Sequence, residues 1–133
     1  MNESGFWLLR SGNRVLTSID QAPESIFPYG RAADFGNPSD ALRIGEWQGR
    51  PCFAAEVERL PDNVSGEPMT VGRLYARVGA EAFALAGRAT QLLDWQKNHR
   101  YCGRCGTPTE MKSGEFAMSC PACGLLAFPR IKI

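Results

Sequence analysis

Residues 102–124 read CGRCGTPTEMKSGEFAMSCPACG, a stretch bounded by two C-x-x-C-G units, Cys102 to Gly106 and Cys120 to Gly124. Fourteen residues separate the two pairs, close to the spacing of roughly 15 to 20 that builds a four-thiolate zinc site. Each unit brings two sulfurs from one tight turn to adjacent corners of a tetrahedron. Gly103, Gly106 and Gly124 suit turns that need positive φ and amides facing sulfur. Ser113-Gly114, between two short runs, predicts the hairpin of a zinc ribbon. A single C-x-x-C also fits a redox pair, but here the pair follows a helical pattern instead of preceding one, and two matched pairs exceed what dithiol chemistry uses. With Cys102, Cys105, Cys120 and Cys123 as ligands, Zn2+ has no open position for water or substrate, so the expected role is structural. Counting four thiolates and one zinc changes the formal charge of +1 to −1.

Immediately upstream the period changes. From Ala80 to about Asn98, Ala82, Phe83, Leu85, Ala86, Ala89, Leu92 and Leu93 form an apolar stripe at helical spacing, which predicts one long helix. Gly87 inside it costs about 1 kcal/mol relative to alanine; a close packing contact and simple tolerance are both open readings. His99 follows the helix and reads as its C-terminal cap rather than as a fifth ligand.

Further upstream, Phe6 to Arg10 and Arg14 to Thr17 flank Ser11-Gly12-Asn13, and Leu42 to Trp47 and Cys52 to Val57 flank Gln48-Gly49. Both patterns predict β-hairpins and together an antiparallel sheet. Residues 21–39 and 61–68 are rich in turn formers and predict irregular connections. Val71 to Val78 alternates and predicts a strand. Cys52, next to Phe53, reads as a small buried thiol. The expected class is therefore α+β: a small antiparallel β-rich N-terminal domain and helix over 1–98, then a four-cysteine zinc ribbon over 99–133.

Composition narrows the partners. Lys plus Arg (15) nearly balances Asp plus Glu (14), so no strong field draws in nucleic acid or a membrane surface, and any polyanion contact is local. Residues 1–5 lack the basic and apolar pattern of a secretion signal, and no apolar run reaches roughly 18 residues. An odd total of five cysteines suits no complete disulfide set. These features predict a cytoplasmic protein with no membrane partner.

Taken together, FALAGRATQLLDWQKNHRYCGRCGTP, GEFAMSCPACG and FPRI, with FPYGRAADF and IGEWQGRPCFAAE upstream, resemble the NADH pyrophosphatase family of Nudix hydrolases. The resemblance covers essentially the whole chain and corresponds to that family's N-terminal domain and zinc ribbon. It implies a catalytic Nudix domain following the Pro-Arg-Ile step, where Glu carboxylates on a helix bind Mg2+ or Mn2+ and activate water. No such box occurs in the 133 residues. Glu24, Glu56 and Glu58 form no helical carboxylate face, so no catalytic residue is assigned and the chain alone is expected to be inactive.

The resemblance also implies hydrolysis of NAD(H) to nicotinamide mononucleotide and AMP, removal of NAD caps from RNA, and a homodimer. By position it assigns substrate contacts to Arg73, Glu115 and Phe128. The family usually carries Tyr where this chain has Phe128, which keeps a stacking face and loses the hydroxyl. Each of the three also has an ordinary structural reading, as a solvated strand residue, a surface carboxylate and a ribbon core aromatic. The apolar run from Leu125 to Ile133 independently predicts an association surface. A different class remains in view: a stand-alone zinc-ribbon module binding nucleic acid or protein through Arg100, Arg104, Lys112, Arg130 and Lys132 with Tyr101, Phe116 and Phe128.

Overall fold

The computed structural model describes residues 3–17, 27–60, 67–70, 72–73, 80–112 and 116–129. It divides into two units, Met1–Ala89 and Thr90–Ile133. The first carries β1 (Gly5–Ser11), β2 (Arg14–Thr17), β3 (Tyr29–Gly30), a 3-10 helix (Ala32–Phe35), β4 (Leu42–Trp47), β5 (Arg50–Glu56) and β6 (Glu67–Thr70). Helix α1 (Ala80–Asn98) runs from the first unit into the second, which adds β7 (Glu110–Met111), β8 (Met118–Ser119) and β9 (Leu126–Ala127). The class is α+β with a zinc ribbon, as the sequence predicts.

Both expected hairpins form. Gln48 and Gly49 take φ of 54° and 75°, the pair of positive values that a two-residue turn of type I′ requires. The sheet itself is mixed, in the order β4-β5-β1-β2-β6 with β3 on β1, where the sequence predicts an antiparallel one. β1 and β5 run parallel, with Trp7 opposite Phe53 and Leu9 opposite Ala55. The physical reason lies in burial. Phe6 to Leu9 and Cys52 to Ala55 are buried at every position, and continuous apolar runs suit the doubly covered centre of a sheet, where parallel pairing is found.

Around that pair the core is aromatic. Trp7 stacks on Phe53 with centroids 4.9 Å apart and leans on Phe35 at 5.6 Å, while its indole Nε1 donates to Gly30 O at 3.2 Å. Arg10 is buried at the end of β1 and pairs with Glu56, its neighbour across the parallel register, which removes the cost of an unpaired buried charge. A Cβ at Gly5 would lie 2.5 Å from Pro51 O and 2.7 Å from the Phe53 ring. The strand contact at that point admits only glycine without a shift.

Three local expectations need correction. Glu67–Thr70 is a strand paired with β2, although Pro68 and the turn formers before it suggest a loop; the pairing with β2 outweighs the local signal. Gly72 and Arg73 are helical, against the strand predicted over 71–78, because short apolar alternation does not distinguish a strand from a helical turn; residues 71 and 74–79 lie outside the described residues. The connection predicted over 21–39 contains β3 and the 3-10 helix, and residues 21–26 are outside the described set. Helix α1 has the predicted span, with Ala82, Ala86, Ala89, Leu92, Leu93 and Trp95 buried. A Cβ at Gly87 meets nothing within 4 Å, so tolerance, not close packing, accounts for that glycine.

Candidate metal centre

Each cysteine pair occupies the same backbone turn. In the first, the Gly106 amide donates to Cys102 O at 2.9 Å and the Cys102 amide donates to Thr107 O at 2.8 Å. In the second, Gly124 donates to Cys120 O at 2.9 Å and Cys120 to Leu125 O at 2.9 Å. Equal offsets of four and five residues make the knuckles one device used twice. The device needs a left-handed residue after the second cysteine, and Gly106 and Gly124 supply it with φ of 78° and 79°. The strands β7, β8 and β9 form the predicted ribbon, with Met118 opposite both Met111 and Ala127.

The four sulfurs lie within 4.8 Å of one another. The short separations cross between knuckles: Cys105 to Cys120 is 3.5 Å, Cys102 to Cys123 3.6 Å and Cys105 to Cys123 3.8 Å. Zinc bonds of about 2.3 Å in a tetrahedron separate the sulfurs by about 3.8 Å. The donor set and its spacing therefore fit a four-thiolate zinc ion. Amides complete the cluster, with Arg104 N donating to Cys102 Sγ at 3.3 Å and Cys123 N to Cys120 Sγ at 3.4 Å. Such donors stabilise ionised sulfur.

Electrostatics point the same way. Hydrogen bonds from the Thr107 hydroxyl and amide pull the Cys105 thiol down to about 6, and the Cys105 and Arg104 amides lower Cys102. At Cys123 the Leu125 amide also lowers the value, but local desolvation and bonds to the three neighbouring sulfurs prevail and raise it to about 11. Clustered thiols cannot all ionise by themselves, since each negative charge opposes the next. A divalent cation removes that conflict and makes full ionisation favourable. Cys105 and Cys123 are exposed, whereas Cys102 and Cys120 are buried.

The helix end is joined to the ribbon locally. His99 Nδ1 is 2.9 Å from Trp95 O, and the His99 amide donates to the same carbonyl at 3.1 Å, so the residue caps the helix as predicted. Thr109 Oγ1 lies 2.6 Å from His99 O and 2.9 Å from Arg100 O, one hydroxyl proton serving two carbonyls. Trp95 is buried and meets Phe116 edge-on at 6.4 Å. Sequence reading missed Thr107 and Thr109; their nearness in sequence to Cys105 was the available signal.

Of the expected substrate residues, Arg73 is exposed in the first unit, its amide donating to Thr70 Oγ1 at 3.3 Å. Phe128 is exposed after β9 in the second unit. Glu115 lies outside the described residues, as do Arg130, Ile131, Lys132 and Ile133 of the expected association segment. Cys52 is fully buried on β5, and burial, reinforced by the Glu46 carboxylate, raises its thiol to about 11. It is a packed thiol and not a ligand. No helix among the described residues is long and apolar enough to cross a membrane.

Comparison with known proteins adds identity to this geometry. A family model described as the NADH pyrophosphatase-like rudimentary NUDIX domain matches residues 4–95, and the NADH pyrophosphatase zinc ribbon domain matches residues 97–128. The chain is similar to the NAD-capped RNA hydrolase NudC of Salmonella typhimurium, with 34% identity over 132 residues. It is also similar to the proteins of that name from Escherichia coli O1:K1, at 32%, and Salmonella paratyphi B, at 35%, each over 130 residues. In all three, 97% of this chain aligns with 46% of the relative. The chain thus spans about half the length of these relatives.

Proposed function

Because this chain belongs to the NADH pyrophosphatase family of Nudix hydrolases, we propose that it serves as the N-terminal and zinc-ribbon portion of an NAD(H) diphosphatase. The reaction is hydrolysis of the dinucleotide's diphosphate to nicotinamide mononucleotide and AMP, and removal of the same group from NAD-capped RNA. The observation that carries this reading is the joint one: both family models match in order along one chain, and the four ribbon sulfurs stand at zinc-ligand spacing. Zinc is structural here, since four protein thiolates leave it no open position. Chemistry belongs to a Nudix domain holding Mg2+ or Mn2+, whose carboxylate box these 133 residues lack.

Within that division of labour, residues 1–98 and 99–133 form the supporting modules of a cytoplasmic homodimer. Arg73, Glu115 and Phe128 contribute substrate contacts. Phe128 offers an exposed ring for stacking on the nicotinamide or adenine of a site completed by the partner subunit. The apolar C-terminal residues Ile131 and Ile133 supply part of the dimer interface.

The test is reconstitution. Zinc-loaded chain incubated with NADH and Mn2+ is expected to release no nicotinamide mononucleotide. Joining it in frame to a Nudix-box domain of the family is expected to restore release, and Phe128→Ala in the joined protein to reduce it. Turnover by the 133-residue chain alone, surviving purification and lost on mutation of this chain, overturns the reading.

A further inference from the structure

Five large hydrophobic side chains are exposed among the described residues, and four of them, Tyr101, Met111, Leu126 and Phe128, belong to the ribbon unit. Tyr101 is the most open, at 63%. It lines a cleft of about 460 Å³ together with His99, Thr109, Met118, Leu126 and Phe128. That volume lies in the range of roughly 300 to 1,000 Å³ typical of small-molecule sites, and its mainly apolar wall with a few polar groups is their usual composition.

Charge distinguishes this cleft from an ordinary apolar hollow. Residues 90–133 carry six Lys or Arg against three Asp or Glu, a formal +3, whereas residues 1–89 carry nine against eleven, a formal −2. Four thiolates and a zinc ion reduce the ribbon to +1, still opposite in sign to the rest. Arg100 stands in the chain between two cleft residues, His99 and Tyr101, and Arg104 follows another, Gly103. Both are exposed, and neither guanidinium has a hydrogen-bond or ion-pair partner among the described residues. In His99, Nδ1 lies 2.9 Å from Trp95 O, a carbonyl that can only accept, which leaves Nε2 as the ring nitrogen not engaged by the helix.

We propose that this cleft holds an unpaired nucleobase of single-stranded RNA against Tyr101, with Arg100 and Arg104 on the flanking phosphates. Every base has a π-face, so an aromatic cleft whose lining residues are flanked in the chain by exposed arginines takes single strands with little sequence preference. His99 Nε2 accepts from an exocyclic amine, favouring adenine, cytosine and guanine. The choice of RNA rests on the function proposed above. In that context the occupant is a base of the RNA body stacked on Tyr101, next to the cap that Phe128 contacts in the same cleft.

The decisive probe is an uncapped, 5′-phosphorylated oligoadenylate labelled at its 3′ end, titrated into the zinc-loaded 133-residue chain and followed by anisotropy at low salt. Tyr101→Ala is expected to weaken binding about tenfold with zinc content unchanged, while Tyr101→Phe, which keeps the stacking face, binds as the parent does. Two phosphate contacts predict a slope near −1.4 for log affinity against log salt, reduced by about 0.7 in Arg100→Gln or Arg104→Gln. Absence of oligoadenylate binding overturns the proposal, as does binding indifferent to Tyr101→Ala in protein that retains zinc. If uncapped RNA fails while NADH still binds, the cleft is wrong and the diphosphatase reading stands; the converse result separates them the other way. A dimer dissolved by Tyr101→Ala without change in RNA affinity assigns the cleft to a second copy and also overturns it.

Discussion

In the unit of residues 1–89, Trp7, Phe27, Phe53, Leu9 and Ile44 are almost wholly buried, and aromatic rings stack across a six-stranded sheet. Beyond Asn98, the buried residues among those described are Cys102, Ala117, Met118 and Cys120, two of them cysteines whose value lies in their sulfur. The first region removes large apolar surfaces from water. The second has almost none to remove, and its strands are two residues long. A short ribbon of that kind cannot offset its conformational entropy by burial, so a metal must do so. The comparison teaches that one chain stabilises its parts by unrelated means, and each means can be broken separately.

Zinc removal is the largest expected break. Apparent binding energies for four-thiolate sites are on the order of 10 to 16 kcal/mol, so a strong chelator is expected to unfold the ribbon while the sheet survives. One zinc per chain and lasting amide protection in β1 and β5 after chelation are the measurable results. Simultaneous loss of protection in both units would show that they are not independently stabilised. Cys120→Ser is expected to reproduce the effect without chelator.

The converse experiment acts on the sheet. Trp7→Ala removes the ring between Phe35 and Phe53 and leaves Gly30 O without its indole donor, for an expected loss of about 3 to 5 kcal/mol. Denaturant unfolding followed at Phe and Tyr signals checks it, with zinc stoichiometry expected to stay at one. Loss of zinc in a still-folded variant would sink the division between regions.

Cysteine chemistry sharpens the contrast at smaller energy. Cys52 titrates near 11 in the folded state, against 9.0 for an ordinary thiol. Folding thus favours its protonated form: the stabilisation is full below about pH 9 and disappears as pH rises through about 11, a difference of about 2 to 3 kcal/mol. Stability measured from pH 8 to 11 is expected to fall, and Cys52→Ala is expected to flatten that decline. At pH 7.5 the native zinc form should leave Cys52 unmodified by thiol reagents, while chelation exposes the four ribbon thiols. Reaction at Cys52 before chelation would contradict its burial.

The smallest effect belongs to the helix that runs through both units. Gly87 faces no atom within 4 Å of an added Cβ, so Gly87→Ala is expected to stabilise by about 1 kcal/mol. A destabilised variant, measured by thermal unfolding of the zinc form, would reveal a packing constraint at that position.

Helix α1 and the zinc ligands were legible because their determinants are local. The stripe from Ala82 to Leu93 needs only the 3.6-residue period, and each C-x-x-C turn closes through hydrogen bonds spanning four and five residues. His99 and Cys52 were legible for similar reasons, one from its place after the helix and the other from its apolar neighbours. Short motifs of this kind carry their own geometry. The resemblance of the whole chain to its family likewise required no coordinates.

Tertiary structure decided what no local pattern holds. Phe6 to Leu9 pairs in parallel with Cys52 to Ala55 across some 45 intervening positions, and nothing in either run distinguishes that partner from the hairpin neighbour, because strand pairing is chosen by which surfaces can be covered together. Glu67–Thr70 became a strand only because β2 offered a free edge, and Gly72 with Arg73 turned helical despite an alternating pattern. The cleft beside Tyr101 is of the same kind: its walls come from residues 99 to 129, and the ribbon's folding alone makes them neighbours. Sequence determined the chemistry that each segment carries; the fold determined which segments meet, since burial is a property of assembled surfaces and not of any single stretch of chain.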